Sequence, residues 1–163
     1  MLKKAKGLLI LFVCISALFT VMQITAFAEG NAASVTFGES TEYYATIDAA
    51  WEAAVALDTT AENKATIKLL DNCTAENTLT NTEDYLVLDT NGKTLTTPDA
   101  IAQTNDVLCG IGAEGGSLEI TGNGTITGLS SGSFARAIIL ITGGEVYANG
   151  VTVYNTGKTG SIS

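Results

Sequence analysis

The sequence contains no histidine, a single proline (Pro98) and a single arginine (Arg136). Histidine is the commonest general base and the commonest metal ligand at neutral pH. Its absence argues against a histidine-activated nucleophile, so we interpret the serines of 130–133 as part of a flexible loop. The glycines of 110–116 are not followed by the Gly-Lys-Ser/Thr of a phosphate-binding loop, and we expect a turn there.

Positive charge is scarce as well. The chain has 8 basic and 17 acidic residues, which gives a net charge of −9. Nucleic acids and anionic membranes select basic surfaces, so we expect neither as a partner. Bound cations remain compatible with this charge. Incidental calcium at the Asp71-Asn72 or Asp89–Asn91 loops is possible in principle, and we expect no other cofactor and no dedicated metal centre.

Residues 1–28 have the three parts of an export signal. Three lysines within the first six residues precede an apolar stretch at 8–22, and Ala26-Phe27-Ala28 supplies the small-x-small site of a signal peptidase. The apolar stretch, about 15 residues, is shorter than the roughly 20 residues that span a bilayer. We predict cleavage after Ala28, a secreted or cell-surface location, and no membrane span in the mature chain. Cleavage removes three lysines and leaves five basic residues against 17 acidic ones, a net charge near −12.

One segment, 47–57, has the apolar spacing of an α-helix. Ile47, Trp51 and Val55 recur on one face of it, the alanines between them favour helix, and Thr46 is a suitable N-cap. We predict that this face covers the first strands of the domain, because an uncovered strand edge invites aggregation. A helix that binds a partner is the alternative.

The residues before the helix predict a β-hairpin. Residues 34–37 and 43–45 have strand composition, and the turn signals of 38–41 separate them. Residues 29–58 are thus predicted to form a hairpin followed by a capping helix.

After residue 59 the pattern changes to short β-rich segments separated by Asn, Gly and Asp. Predicted strands of about three to five residues lie at 66–70, 85–88, 94–96, 117–120, 125–127, 137–141, 145–148 and 151–154.

Six of these segments form three copies of one unit, which consists of a strand, an Asn-Gly corner and a second strand. The copies begin at Leu86, Leu118 and Val146, and the corners are Asn91-Gly92, Asn123-Gly124 and Asn149-Gly150. Similar units at this spacing bury little apolar surface alone and must stack on one another. In such a stack the chain bends at each Asn-Gly corner, and these residues are predicted to adopt positive φ there. The alternative is an antiparallel sandwich, with Asn-Gly as a hairpin turn.

Two cysteines, Cys73 and Cys109, lie outside the predicted signal. A disulfide between them is compatible with an oxidising compartment. Free, buried cysteines that pack as small apolar residues are the interpretation we favour.

The segments Tyr44–Ala50, Ala65–Asp71 and Leu86–Leu95 resemble the opening of right-handed parallel β-helix proteins of the pectin-lyase-like superfamily, in particular secreted and surface proteins of Gram-positive, gut-type bacteria. The resemblance spans roughly 43–154. It implies a mainly β chain in which 59–163 forms stacked β-helix coils. Because such proteins continue for further coils, it also implies that this chain is an N-terminal fragment.

The same superfamily includes polysaccharide lyases, glycosidases and esterases, which use converging carboxylates or a basic residue near bound calcium. The candidate carboxylates are Asp89, Asp106, Glu114, Glu119 and Glu145. None belongs to a paired acidic motif, Glu119 alternates outward between Leu118 and Ile120, and we interpret Lys93 and Arg136 as surface charges. We therefore predict no catalytic residues.

Function then rests on binding. Exposed aromatic rings on a flat β face can stack on sugars, and Tyr147 and Tyr154 are the candidates, although inward-facing or stacked rings are the simpler interpretation. We expect a non-catalytic, adhesin-like surface module with a glycan or a host or cell-wall surface as partner. The alternative is the N-terminal part of a carbohydrate-active enzyme whose catalytic coils follow residue 163.

Overall fold

The computed structural model describes residues 30–98, 108–128 and 136–155. Within these ranges the chain is mainly β, with one helix. The elements, in chain order, are β1 (Ala33–Phe37), β2 (Ser40–Tyr44), α1 (Ile47–Val55), β3 (Ala65–Leu69), β4 (Cys73–Thr74), β5 (Leu79–Asn81), β6 (Tyr85–Asp89), β7 (Thr94–Thr97), β8 (Leu108–Ala113), β9 (Ser117–Thr121), β10 (Thr125–Gly128), β11 (Arg136–Ile141), β12 (Glu145–Ala148) and β13 (Thr152–Asn155).

From β3 onward, every third strand belongs to the same sheet. The first sheet has the order β12-β9-β6-β3-β1-β2, the second β13-β10-β7-β4, and the third β11-β8-β5. All pairs from β3 onward are parallel. We call β3–β5 the first triplet, β6–β8 the second, β9–β11 the third, and β12–β13 the last pair.

The three copies recognised in the sequence lie on top of one another. Leu86 pairs with Leu118, which pairs with Val146. After the corner, Leu95 pairs with Ile126, which pairs with Val153. The stacking of the repeated units is therefore confirmed, and the antiparallel pairing expected of a sandwich is confined, among the described strands, to β1 and its two neighbours.

The core lies between the three sheets. We call a row of residues paired across neighbouring strands a rung, and one turn of the chain through the three sheets a level. The core is filled by the rungs whose side chains point inward. In the second sheet, Leu95 and Ile126 are completely buried, and in the third, Leu79 and Ile111 are. Leu88 and its neighbours on the same rung fill the first sheet in the same way. When parallel strands pair in register, apolar residues lie directly above apolar residues, and each strand buries its inward side chains. This pairing explains why buried and partly exposed residues alternate in β6, β7 and β9.

The corners use positive φ, although not at every predicted position. Asn91 (φ 49°) and Asn123 (φ 57°) are left-handed, as predicted, and so are Gly92 and Gly150. At the second corner, however, the left-handed glycine is Gly122, and neither Gly124 nor Asn149 has positive φ.

Gly124 is needed for a different reason. A Cβ there would collide with the carbonyl oxygen of Lys93 and the side chain of Thr90 in the level below. The Thr90 hydroxyl instead accepts a hydrogen bond from the Gly124 N–H at 2.9 Å. The glycine thus allows two levels to approach closely.

The predicted turn at 110–116 is wrong over most of its length. Leu108–Ala113 forms β8, which pairs with both β5 and β11. Gly110 lies so close to the side chain of Thr97 that a Cβ would overlap it. The glycine therefore reflects close packing of a strand, and the turn is limited to 114–116.

The predicted hairpin and helix are both present, although β2 begins at Ser40, inside the predicted turn, and α1 ends at Val55, two residues before the predicted end. Thr46 caps α1 by accepting a hydrogen bond from the Ala49 N–H at 3.2 Å. Ile47 and Trp51 are buried, whereas Val55 is only partly buried against the core.

Candidate functional site

The outward surface of the first sheet carries aromatic and acidic side chains on neighbouring strands. In β6, Leu86 and Leu88 are completely buried, so alternation directs Tyr85 and Val87 outward. The register continues this surface across β9 and β12. Tyr85 lies on one rung with Glu145, and Val87 lies on the next with Glu119 and Tyr147. We call Tyr85, Val87, Glu119, Glu145 and Tyr147 the tyrosine face.

Two tyrosines share this face at a spacing that the sheet determines. Strands β6 and β12 are separated by β9 alone, which places them about 10 Å apart. Tyr147 has 55% of its surface exposed, while Tyr85 is partly buried. The two phenol rings therefore lie on the same outward surface, on opposite sides of β9.

The carboxylates of the face already have partners. The Lys64 ammonium forms an ion pair with Glu119. The Tyr147 hydroxyl donates a hydrogen bond to Glu145 Oε2 at 2.7 Å. This hydrogen bond, with the negative charges of Glu145 and Glu119, raises the pKa of the Tyr147 phenol. The Tyr147 phenol is thus linked to Glu145, while the charge of Glu119 is balanced by Lys64.

Tyr154 does not belong to this face. The ring is exposed (49%), like that of Tyr147, so the inward orientation considered for the two rings is wrong. Tyr154, however, lies in the second sheet, on a rung with Thr127 and Thr96, because the chain turns at Asn149-Gly150 between the two strands. The two candidate tyrosines therefore do not share one surface.

Tyr85 is the member of the face that sequence reasoning missed. It was recognised only as the first residue of a strand. Its alignment with Glu145 follows from the register across three strands, and the 32-residue step from Leu86 to Leu118 was the signal that could have placed it.

Two of the remaining candidate carboxylates, Asp89 and Glu114, lie among the described residues. Asp89 lies 3.7 Å from the Lys68 ammonium and accepts a hydrogen bond from the Asn91 N–H at 2.8 Å. Glu114 is exposed in the turn that follows β8. Asp106 and the serines of 130–133 lie outside the described residues.

The side-chain oxygens of the Asp71-Asn72 loop accept backbone hydrogen bonds, one within the loop and one from the next level. Asp71 Oδ1 accepts from the Asn72 N–H at 2.7 Å, and Asn72 Oδ1 accepts from the Thr94 N–H at 2.8 Å. Within 30–98, 108–128 and 136–155, no group of three or more acidic or cysteine side chains is arranged to hold a metal ion.

Both cysteines are free and buried. Cys73 Sγ lies 3.1 Å from the Asp71 carbonyl oxygen. Burial, aided by nearby Asp71 for Cys73 and Glu114 for Cys109, raises the pKa of each thiol. The two side chains thus behave as small apolar residues in different sheets.

No protein-family model, curated protein or solved structure matches the chain. No helix among the described residues is long and apolar enough to cross a membrane. The residues of the predicted signal, 1–28, lie outside the described ranges, and so does the side chain of Arg136.

Proposed function

We propose that the protein is an exported, non-catalytic surface module that binds glycans through the tyrosine face, in the manner of an adhesin. The single observation that carries this proposal is the half-exposed ring of Tyr147, which shares one sheet surface with Tyr85 and has two carboxylates beside it. Aromatic rings bind through a large apolar surface with a polar group at the edge, and sugar rings offer the matching apolar faces and hydroxyl donors.

The scaffold in this proposal is a right-handed parallel β-helix. Three parallel sheets that each take every third strand are the arrangement that a coiling chain produces. Crossovers between parallel strands of one sheet are right-handed in nearly all proteins. A stack of this kind offers a long, flat and rigid surface, which suits an extended ligand such as a polysaccharide.

Export and surface location complete the proposal. The segment 1–28 supports export, and the acidic composition supports a soluble extracellular module rather than one that binds nucleic acid. The pairing of Glu119 with Lys64 and of Asp89 with Lys68 supports a structural role for these carboxylates.

A glycan array followed by calorimetry on the purified protein tests the binding. For a glycan that binds, Tyr147→Ala should weaken affinity by roughly tenfold, since about 1–2 kcal/mol of ring burial is lost. Tyr85→Ala should weaken it less, because that ring is partly buried already. The matched control is Tyr154→Ala, which removes an equally exposed ring from another sheet and should leave affinity unchanged.

Two results would contradict the proposal. One is equal loss of affinity in Tyr147→Ala and Tyr154→Ala, which indicates non-specific adsorption to exposed rings. The other is turnover of a polysaccharide that disappears in Glu119→Gln or Asp89→Asn, which indicates an enzyme.

A further inference from the structure

A second surface of different chemistry lies at the opposite end of the described fold, between β2 and α1. It is an open groove of about 220 Å³. Its walls are apolar residues of the hairpin and the helix, among them Phe37, Tyr44, Ala53 and Leu57. The volume is below the roughly 300–1,000 Å³ of sites for drug-sized ligands, and it suits a single side chain.

The groove exists because α1 does not cover the whole hairpin. Residues that alternate toward the helix from β1 include Val35, which is buried, and Phe37, which is partly buried. Their partners on β2 are Glu42 and Ser40, and both are exposed. Because β2 is the last strand of the first sheet, its inward surface is open on one side.

Glu42 gives the groove a charge. Its Oε2 accepts a hydrogen bond from the Tyr44 hydroxyl at 2.8 Å, which fixes the carboxylate beside the aromatic ring. Neither of the two ion pairs among the described residues involves Glu42. Residues 30–63, which contain the hairpin and the helix, carry six acidic side chains and no basic one.

An apolar groove with one carboxylate and two aromatic rings is complementary to a cation on an aliphatic stem. The stem contacts Leu57 and Phe37, and the cation lies near Glu42, where the adjacent ring of Tyr44 adds a favourable cation–π interaction. A lysine side chain has this chemistry, since it buries four methylene groups and keeps its ammonium in water.

We propose that the groove between β2 and α1 binds a lysine side chain from an extended, basic segment of a partner protein that lies along β2. Charge complementarity with the acidic 30–63 region guides the partner to this end, and the groove selects the lysine. This contact is independent of the glycan-binding function, because it uses other residues in another part of the fold.

The test compares two short extended peptides that differ in one side chain, by NMR titration of the isotope-labelled protein. One peptide carries lysine at its centre among small residues, and the other carries norleucine, which has a similar stem without the charge. We expect the lysine peptide to bind more tightly by about three- to fivefold, within the range of an exposed ion pair. The shifts should be confined to the residues that line the groove, which are Val35, Phe37, Ala53, Leu57 and those of β2. Equal affinity for the two peptides, or shifts elsewhere, would overturn the proposal.

Three variants distinguish the role of the charge from that of the shape. Glu42→Gln should abolish the preference for lysine without changing norleucine binding, whereas Glu39→Gln, in the exposed hairpin turn, should leave the preference intact. Ala53→Phe fills the groove from the helix side and should weaken both peptides. Loss of the preference in Glu39→Gln as well would show that only the overall charge matters and would overturn the site. Butylammonium that binds as tightly as the lysine peptide would overturn the choice of a polypeptide partner.

Discussion

The two ends of the described stack solve the same packing problem in opposite ways. At the first triplet, elements that precede it in the chain cover the edges of β3 and β5. At the last pair, inward positions that are fully buried elsewhere become exposed. Along one rung of the second sheet, Leu95 and Ile126 have no exposed surface, whereas Val153 has 41%.

The covered end uses three kinds of hydrogen-bond partner. Strand β1 pairs with the free edge of β3. The Trp51 indole N–H donates to the Thr80 carbonyl oxygen at 2.9 Å, at the edge of β5. The Asp48 carboxylate accepts from the N–H groups of Glu76 and Asn77 at 2.9–3.1 Å. The comparison teaches that an inward side chain is fully buried where its level has a neighbour on both sides, so a residue's contribution to stability should depend on its level as much as on its type.

The largest effect is expected for Trp51→Ala. This change removes a nearly buried ring and leaves the Thr80 carbonyl oxygen without its donor, so the free energy of unfolding should fall by about 3–5 kcal/mol. Urea denaturation followed by circular dichroism measures this. Trp51→Phe should recover most of the unfolding free energy that comes from burial of the ring. A loss below about 1 kcal/mol for Trp51→Ala would show that the helix does not stabilise the fold.

The second-largest loss of stability is expected at Ile126, and Val153 on the same rung provides the comparison. Ile126→Ala should cost about 2–5 kcal/mol because it opens a cavity in a fully buried level. Val153→Ala, one level later, should cost at most about 1 kcal/mol because its side chain is already partly in water. The same denaturation experiment measures both, and similar losses at the two positions would remove the difference between the ends.

Asp48→Asn should destabilise the covered end by about 1–2 kcal/mol, because the charged acceptor of two backbone N–H groups is replaced by a neutral one. Glu52→Gln is the matched control, since Glu52 is exposed on the same helix and its neutralisation should change stability little. Hydrogen exchange at Glu76 and Asn77 should accelerate in Asp48→Asn alone. Unchanged hydrogen exchange at Glu76 and Asn77 would show that the Asp48 carboxylate does not stabilise these N–H groups.

Alkaline pH should weaken the interior levels that hold the cysteines. The pKa of each thiol is raised in the folded state, so the unfolded chain loses its thiol protons first. The associated stability is fully present below the ordinary thiol pKa, about 8.5, and is lost as the pH rises through the folded-state value. Denaturation midpoints should therefore fall above that pH, and less steeply in a Cys73→Ala/Cys109→Ala double variant. An equally steep fall in that variant would assign the effect to other groups.

The smallest effect concerns Tyr147 on the last pair. Its phenol should titrate above the ordinary tyrosine pKa because its hydrogen bond to Glu145 favours the neutral form. Glu145→Gln should bring the pKa back toward the ordinary value, as measured by ultraviolet absorbance or NMR. No change in that variant would show that the hydrogen bond is not maintained in solution.

The sequence predicted the strands that alternate clearly and missed those that do not. Strand β4 has only two residues, β5 ends in the buried Asn81, and β8 contains two glycines. Asn81 looks like a loop residue, yet its amide donates to the carbonyl oxygens of Asp84 and Ser117 and so is satisfied inside the fold. Short, polar or glycine-containing strands are recognisable only once the neighbouring level provides their partners.

The candidate site was predictable only in part, for a related reason. Alternation correctly directed Glu119 outward, but it could not show which tyrosines share a surface. Tyr147 and Tyr154 are seven residues apart and lie in different sheets, whereas Tyr85 and Tyr147 are distant in sequence and lie on one face. Such proximity depends on the length of each level, which local patterns do not report.

The position of the covered end also has a consequence for the order of events during synthesis. Every contact that covers it, from the Ala32 carbonyl oxygen to Leu70 and from Trp51 to Thr80, lies within residues 30–81. A chain that emerges with its N-terminus first can therefore complete this end before the second triplet has been made. Later levels can then add to an edge that is already formed, and the edge of β3 need not be exposed while they are made.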